Sequence, residues 1–184
     1  MAATLISSGA VAVRGFDDSG FRLATELAWR FAILVYFAAI VAGPVTRLIP
    51  SLRLQRLIPE RRQLLWGFCA SFGVFLASLL VSPPAFGHEG LSLGTAIFAL
   101  FAAGLTMVIS YAASPQLSLE ERSRRTILGV GLSYFWFAYT VNGLTHLFTP
   151  FSPDAFYGVS LALMVGALLL RFADHFWRES ARPR

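Results

Sequence analysis

Five apolar stretches, each long enough to cross a lipid bilayer, occupy most of this chain. They lie at Leu27–Val45, Gln63–Val81, Leu91–Ala113, Thr126–Phe148 and Ala155–Phe172. A membrane-spanning helix needs ~20 mostly apolar residues. Charged residues make up about a quarter of a typical soluble protein, but only 14% of this chain. The sequence therefore predicts an all-α integral membrane protein, a bundle of about five transmembrane helices whose first partner is the lipid bilayer.

The basic residues are concentrated in alternate loops. All 15 are arginine. Five lie between the first and second stretches, three between the third and fourth, and four at the end of the fifth and beyond it. The others, Arg14, Arg22 and Arg30, lie before the first stretch or at its start. Because arginine-rich loops face the cytoplasm, we predict the N-terminus outside and the C-terminus inside. Arginine in place of lysine is typical of GC-rich bacteria, so we expect a multi-pass protein of the bacterial inner membrane.

One transmembrane helical domain is predicted at residues 21–173. Residues 1–20 are predicted to be a short extracytoplasmic lead, because they lack the early positive charge and unbroken apolar run of a signal peptide. Residues 174–184 are predicted to be a cytoplasmic tail rich in arginine.

Proline and capping patterns refine the helix ends. Gly43-Pro44 is predicted to end or kink the first helix, because proline lacks an N–H donor and clashes with the preceding turn. Ser51–Ile58 mixes leucine with arginine and is predicted to lie on the cytoplasmic membrane surface. Ser118 and Glu121 have the spacing of a capping box, so the fourth helix is expected to begin within its loop.

Small and charged residues predict two kinds of contact. Gly129 and Gly131 on the fourth helix would allow close approach of a neighbouring helix. Arg22, Glu26 and Arg30 follow one another at steps of four residues, so they share one helix face and can pair along it.

Several function classes are disfavoured by composition and motifs. The isoelectric point of about 10.1 does not indicate nucleic-acid binding, because the arginines flank apolar helices and contact anionic headgroups. The lone Cys69 excludes a disulfide within the chain. The sequence has no Ser/His/Asp grouping, no HExxH motif and no paired membrane carboxylates, so we expect that it is not an enzyme by itself.

Polar side chains within the apolar stretches are functional candidates by default. Asn142 and His146 are four residues apart on the fourth stretch, near its outer end. His88 and Glu89 lie in the outer loop before the third stretch, so they could converge with His146 on a metal or a heme. In the alternative interpretation, His146 bonds a neighbouring helix and His88 is solvated. The remaining candidates are tyrosines of the fourth stretch, Tyr134 and Tyr139.

The order of motifs carries a family resemblance. The first stretch ends in Gly-Pro-Val-Thr-Arg-Leu at Gly43–Leu48, and the second opens at Arg61-Arg62, with Leu64 and Gly67 following. Ser114–Tyr139 then contains an arginine-bearing loop, a Leu-Gly pair and an aromatic-rich segment. This order resembles the ferric reductase-like transmembrane domain. That domain is shared by ferric reductases, NADPH oxidases and the heme-binding subunit of bacterial methionine sulfoxide reductase systems. The resemblance covers roughly residues 21–173.

The ligand positions that the resemblance implies are mostly absent. In that family, histidines on the second and fourth helices hold b-type heme between them. Here the second stretch has no histidine, and phenylalanines stand in the corresponding places, at Phe68, Phe72 and Phe75. The earlier position on the fourth helix falls near Ser133–Phe135, and only His146 matches a ligand position, the outer one. We therefore predict no cofactor. The alternative is one b-type heme held by His146, alone or with His88.

Three functions stay open at this point. The first is a non-catalytic scaffold or accessory subunit in a larger membrane assembly. The second is an electron-transfer protein with one heme or metal near the outer face. The chain has no flavin or nicotinamide motif, so this function would need a separate membrane or redox protein partner that supplies electrons. The third is a small transporter, which the scarcity of charge and of helix breaks within the stretches disfavours.

Overall fold

The computed structural model describes residues 18–49, 57–81, 93–114, 120–148 and 155–180. These residues form five helices and contain no strand: α1 (Asp18–Leu48), α2 (Leu57–Val81), α3 (Leu93–Ala113), α4 (Glu121–Phe148) and α5 (Ala155–Ser180). Each predicted apolar stretch lies within one helix, except that Leu91 and Ser92 fall outside the described residues. The predicted all-helical class is confirmed for the part of the chain that is described.

Four of the helices, α1, α2, α4 and α5, are long and apolar enough to cross a membrane. The remaining helix, α3, has 21 residues, and its apolar part with described side chains is the shorter segment Ile97–Ala113. Four of the five predicted spans are therefore supported by length and composition, and a fifth span at α3 stays a prediction.

Helix α1 continues through Gly43-Pro44 to Leu48. Of the two predicted outcomes, an end of the helix at this pair is therefore wrong. The Thr46 hydroxyl donates to the carbonyls of Ala42 and Gly43, at 3.0 and 2.9 Å. Proline is tolerated in such helices where side chains such as threonine bond the backbone around it. The extra turn carries Arg47 beyond the proline.

The other predicted helix ends are tested only where the structure describes them. Helix α4 begins at Glu121, inside the arginine-bearing segment as predicted, although Ser118 of the capping box lies outside the described residues. Most of the predicted surface segment Ser51–Ile58 and nearly all of the lead 1–20 also lie outside them. Pro59 falls in the first turn of α2, where a missing N–H costs no hydrogen bond.

The helices form a ring in chain order. Each packs against its neighbours in sequence, and α5 closes the ring against α1. Consecutive antiparallel helices with short connections are the usual way to build such a bundle. The centre of the ring holds a cluster of buried apolar side chains from all five helices, and its buried aromatic members come from α1, α2 and α4.

Close helix approach is confirmed at only one of the two predicted glycines. A Cβ added at Gly131 would lie 2.8 Å from two carbons of the Ile109 side chain on α3, whereas one added at Gly129 would meet nothing within 4 Å. Ala102 on α3 is also fully buried. Helices α3 and α4 therefore pack closely around Gly131.

Gly131→Ala is expected to lower the free energy of unfolding by about 1–3 kcal/mol, because the added methyl group overpacks the contact with Ile109. Gly129→Ala is the matched control, and is expected to be neutral or to stabilise the helix by about 0.5–1 kcal/mol. Unfolding of both variants in detergent, followed by circular dichroism, measures the difference. Equal stabilities would contradict the close α3–α4 contact.

Candidate functional site: an aromatic interior between two polar ends

Aromatic rings fill the space between α2 and α4. Phe68 and Phe72 on α2 both pack edge-on against Phe135 on α4, with ring centroids 4.9 Å apart in each pair. All three side chains are fully buried. Edge-to-face pairing is one of the favoured arrangements of aromatic rings, because the positive edge of one ring meets the negative face of the other. The helices are therefore joined by direct ring packing.

Rings from α1 and from the rest of α4 complete this cluster. Tyr36 and Trp29 on α1 lie 5.2 and 4.8 Å from the Tyr139 ring. Tyr134 packs edge-on against Phe135 at 5.5 Å and against Phe101 of α3 at 5.0 Å. The two tyrosine candidates of α4 are thus packing elements of the interior, and Tyr134 extends it toward α3.

A heme between α2 and α4 does not fit this arrangement. The rings of Phe68, Phe72 and Phe135 are in mutual contact, so a porphyrin would have to displace them. Neither helix offers an imidazole at this depth. A heme at the position that the family resemblance implies is therefore incompatible with the packing of these rings.

Two buried tyrosine hydroxyls differ in their hydrogen bonding. The Tyr36 hydroxyl donates to the carbonyl of Leu132, which ties α1 to α4 across the ring. The Tyr139 hydroxyl is buried and has no hydrogen-bond partner within the described part of the chain. A buried polar group without a partner costs free energy, so Tyr139 contributes through its ring and its hydroxyl opposes stability.

Tyr36→Phe is expected to lower the free energy of unfolding by about 0.5–1 kcal/mol, because an interhelical hydrogen bond is lost. Tyr139→Phe removes only a hydroxyl without a described partner and is expected to leave stability unchanged or to raise it by about 1 kcal/mol. Thermal unfolding of the two variants side by side measures this. A larger loss for Tyr139→Phe would show that its hydroxyl has a partner.

The predicted site at the outer end is described only in part. His146 stacks on Tyr157 of α5, with ring centroids 3.9 Å apart and planes 11° from parallel. Asn142, one turn earlier, is half-buried. His88 and Glu89 lie outside the described residues, so their convergence on His146 stays a prediction. No group of three histidine, cysteine or acidic side chains that could hold a metal occurs among the residues described.

The predicted pairing along α1 is confirmed for Glu26 and Arg30, which form an ion pair. The Arg30 guanidinium also lies over the ring of Phe156 on α5, 4.9 Å from its centroid. A cation over an aromatic face is attracted by the ring. This contact fastens α1 to the start of α5 at the same end of the bundle as His146. The side chain of Arg22 is not among those described.

Arg47 and Asp174 join the C-terminal ends of α1 and α5. The Arg47 Nε and a terminal nitrogen each donate a 2.7 Å hydrogen bond, one to each carboxylate oxygen of Asp174. The Asp174 side chain is only 9% exposed, whereas that of Arg47 is 42% exposed. Paired parallel hydrogen bonds of this kind are the strongest arginine–carboxylate geometry. The ion pair therefore holds the two helix ends together.

Other arginines bind helix ends nearby. The Arg62 Nε donates a 2.5 Å hydrogen bond to the Ala113 carbonyl at the end of α3. Arg125 and Arg124 lie 2.8 and 3.9 Å from the Glu121 carboxylate at the start of α4. The arginine-bearing ends of α1, α2, α4 and α5 lie at one end of the bundle, around a shared cavity.

Sequence reasoning missed the role of Asp174. It placed this residue at the start of an arginine-rich tail, but the helix continues to Ser180 and the carboxylate is buried against Arg47. The available signal was an acidic residue near the end of an apolar helix, on a chain whose neighbouring loops carry mostly arginine.

Comparison of the chain with protein families, with curated proteins and with solved structures finds no match. The class defined by the fold is an all-helical protein with four helices able to span a membrane. The likeness to the ferric reductase-like domain stays a prediction that rests on the motifs quoted above.

Proposed function

We propose that this chain is a non-catalytic membrane protein that acts as a scaffold or accessory subunit of a larger assembly, on a degenerate ferric reductase-like bundle. The observation that supports this is the packing of Phe68, Phe72 and Phe135 against one another where such a bundle would hold heme. A filled aromatic interior stabilises the association of helices. The three phenylalanine side chains carry no atom that ligates a metal and none that donates or accepts a proton.

The outward faces are suited to a bilayer or to a protein partner within it. Large apolar side chains are exposed along three helices, among them Leu100 on α3, Phe137 on α4 and Leu169 on α5. A scaffold contacts its partner through one such face and lipid through the others.

Site-specific photo-crosslinking in native membranes tests this role. A photoreactive amino acid is placed at Leu100, Phe137 or Leu169, with the buried Phe72 as the control that reacts only within the chain. We expect one face to give a discrete adduct with another protein and the other faces to give lipid adducts. Lipid adducts at all three positions, together with migration as a monomer in native gels, would exclude a scaffold.

We also propose that the arginine end of the bundle faces the cytoplasm of a bacterial cell, with the N-terminus outside. The gathering of Arg47, Arg62 and Arg124 at one end supports this, because basic residues are retained on the cytoplasmic side. At the other end, Arg30 is compensated by Glu26. A green fluorescent protein fused at the C-terminus is expected to fluoresce, and an alkaline phosphatase fusion to be inactive. An active phosphatase would reverse the orientation.

A further inference from the structure

A cavity of about 780 Å³ opens at the arginine end of the bundle, between α1, α2, α4 and α5. Five arginines and two carboxylates line it, which leaves a formal excess of three positive charges. The arginines are Arg47, Arg61, Arg124, Arg125 and Arg171, and the carboxylates are Glu121 and Asp174. Small-molecule sites have volumes of about 300–1,000 Å³. The cavity therefore has the size and the charge of a site for a polyanion.

The two carboxylates are engaged by arginines other than Arg61 and Arg171. Asp174 is held by Arg47, and Glu121 by Arg125. No carboxylate within the described ranges lies at ion-pair distance from Arg61 or Arg171. These two guanidiniums face the cavity without a described counter-charge.

Arg61, at the start of α2, is one of the arginines that line the cavity. Its Nε is buried and has no hydrogen-bond partner among the residues that the structure describes. Arg47 and Arg171 line the same cavity and carry the same charge as Arg61. A buried donor without a partner and a like-charge repulsion are both costly, and an anion in the cavity would relieve the two costs together.

Two guanidiniums approach each other beside Gly43. A Cβ placed on Gly43 would lie 3.5 Å from a terminal nitrogen of Arg47 and 3.6 Å from one of Arg61. The two guanidiniums therefore meet above a residue that has no side chain. Several N–H donors aimed at one volume suit an acceptor with several oxygens, and arginine forks match the oxygens of phosphate.

We propose that this cavity binds the phosphate group of an anionic ligand, with Arg61 and Arg171 as its principal donors. The group could belong to the headgroup of an anionic phospholipid or to a soluble phosphate compound. Ile40, Pro44 and Leu128 line the same cavity, and a basic pocket between helix ends with an apolar wall is typical of headgroup sites. The proposal is independent of the scaffold role, since a scaffold and an electron-transfer protein can both carry such a site.

Binding measurements on the full chain, purified without lipid in a neutral detergent, test the proposal. One arm adds phosphatidylglycerol, with phosphatidylcholine as the uncharged reference. The other arm adds inorganic phosphate or pyrophosphate. The variants are Arg61→Gln and Arg171→Gln, and Arg122→Gln is the matched control, because Arg122 is on α4 near the cavity but does not line it. The readouts are the Kd from thermophoresis and the melting temperature with and without ligand.

We expect each cavity variant to raise the Kd by about tenfold or more, since a hydrogen bond between charged groups is lost, and Arg122→Gln by less than about twofold. Without ligand, Arg61→Gln is expected to melt no lower than the wild type, because it removes one of five positive charges around the cavity. Response to phosphatidylglycerol alone assigns the site to a headgroup, and response to pyrophosphate with the same arginine dependence assigns it to a soluble phosphate. Equal effects of the three variants, or no binding in either arm, would overturn the proposal.

Discussion

Phe135→Ala is expected to lower the free energy of unfolding by about 3–5 kcal/mol. Phe135 is fully buried, and its ring contacts those of Phe68, Phe72 and Tyr134 at centroid distances of 4.9, 4.9 and 5.5 Å. Truncation leaves a cavity at the centre of the ring of helices and removes the three closest of the five aromatic pairs that Phe135 makes, each worth about 0.5–1.5 kcal/mol, together with its pairs to Tyr36 and Tyr139. Packing is the main force between helices in lipid, where the hydrophobic effect does not drive them together. The stabilisation lost with this side chain is therefore not offset by burying other apolar surface.

The matched control for this loss is Phe137→Ala, two residues further along α4. The Phe137 side chain is 61% exposed on the outside of the bundle, so its removal is expected to change stability by less than about 0.5 kcal/mol. Unfolding of both variants in mixed detergent micelles, followed by tryptophan fluorescence, gives the comparison. A loss at position 135 no larger than that at 137 would contradict an interior held together by ring packing.

Arg47→Ala is expected to lower the free energy of unfolding by about 3 kcal/mol. The substitution leaves the Asp174 carboxylate buried without the two hydrogen bonds that Arg47 donates. The effect falls at the lower end for a broken buried pair, because Arg47 itself is partly exposed. The double variant Arg47→Leu/Asp174→Leu is expected to recover most of the stability, since replacing both charges by apolar side chains removes the uncompensated one.

Arg125→Ala is the control for this pair. Arg125 also binds a carboxylate at 2.8 Å, but both it and Glu121 are exposed. Exposed ion pairs contribute little, so no measurable change is expected. Unfolding by guanidinium chloride or by heat measures the free energy of unfolding of these variants. Similar behaviour of Arg47→Ala and Arg125→Ala would show that the Asp174 ion pair does not hold α1 against α5.

The helices themselves were predictable because the signals are local. A run of apolar residues is helical in a membrane, since the helix satisfies the backbone within the segment. The start of α4 inside its loop and the pairing of Glu26 with Arg30 follow from spacings of three and four residues. The end of α1 was less certain, because Gly43-Pro44 alone does not reveal that Thr46 donates to the backbone around it.

The contacts that define the site join residues far apart in the chain. Tyr36 bonds Leu132, and Arg47 bonds Asp174, across 96 and 127 positions. A single sequence gives the face on which each residue lies, but it does not give the rotation of one helix against another. Sequence reasoning therefore showed that α2 has no histidine. It missed the aromatic packing between α2 and α4, and it missed the cavity between the arginines.

The most direct test of a heme-free interior is an absorption spectrum of the detergent-purified protein, expressed with ample heme and recorded before and after reduction with dithionite. We predict no Soret band in either state, because the rings of Phe68, Phe72 and Phe135 occupy the space between α2 and α4. A stoichiometric Soret band that shifts on reduction and disappears in His146→Ala would contradict this account. It would assign the protein to electron transfer, with a heme at the outer end of α4.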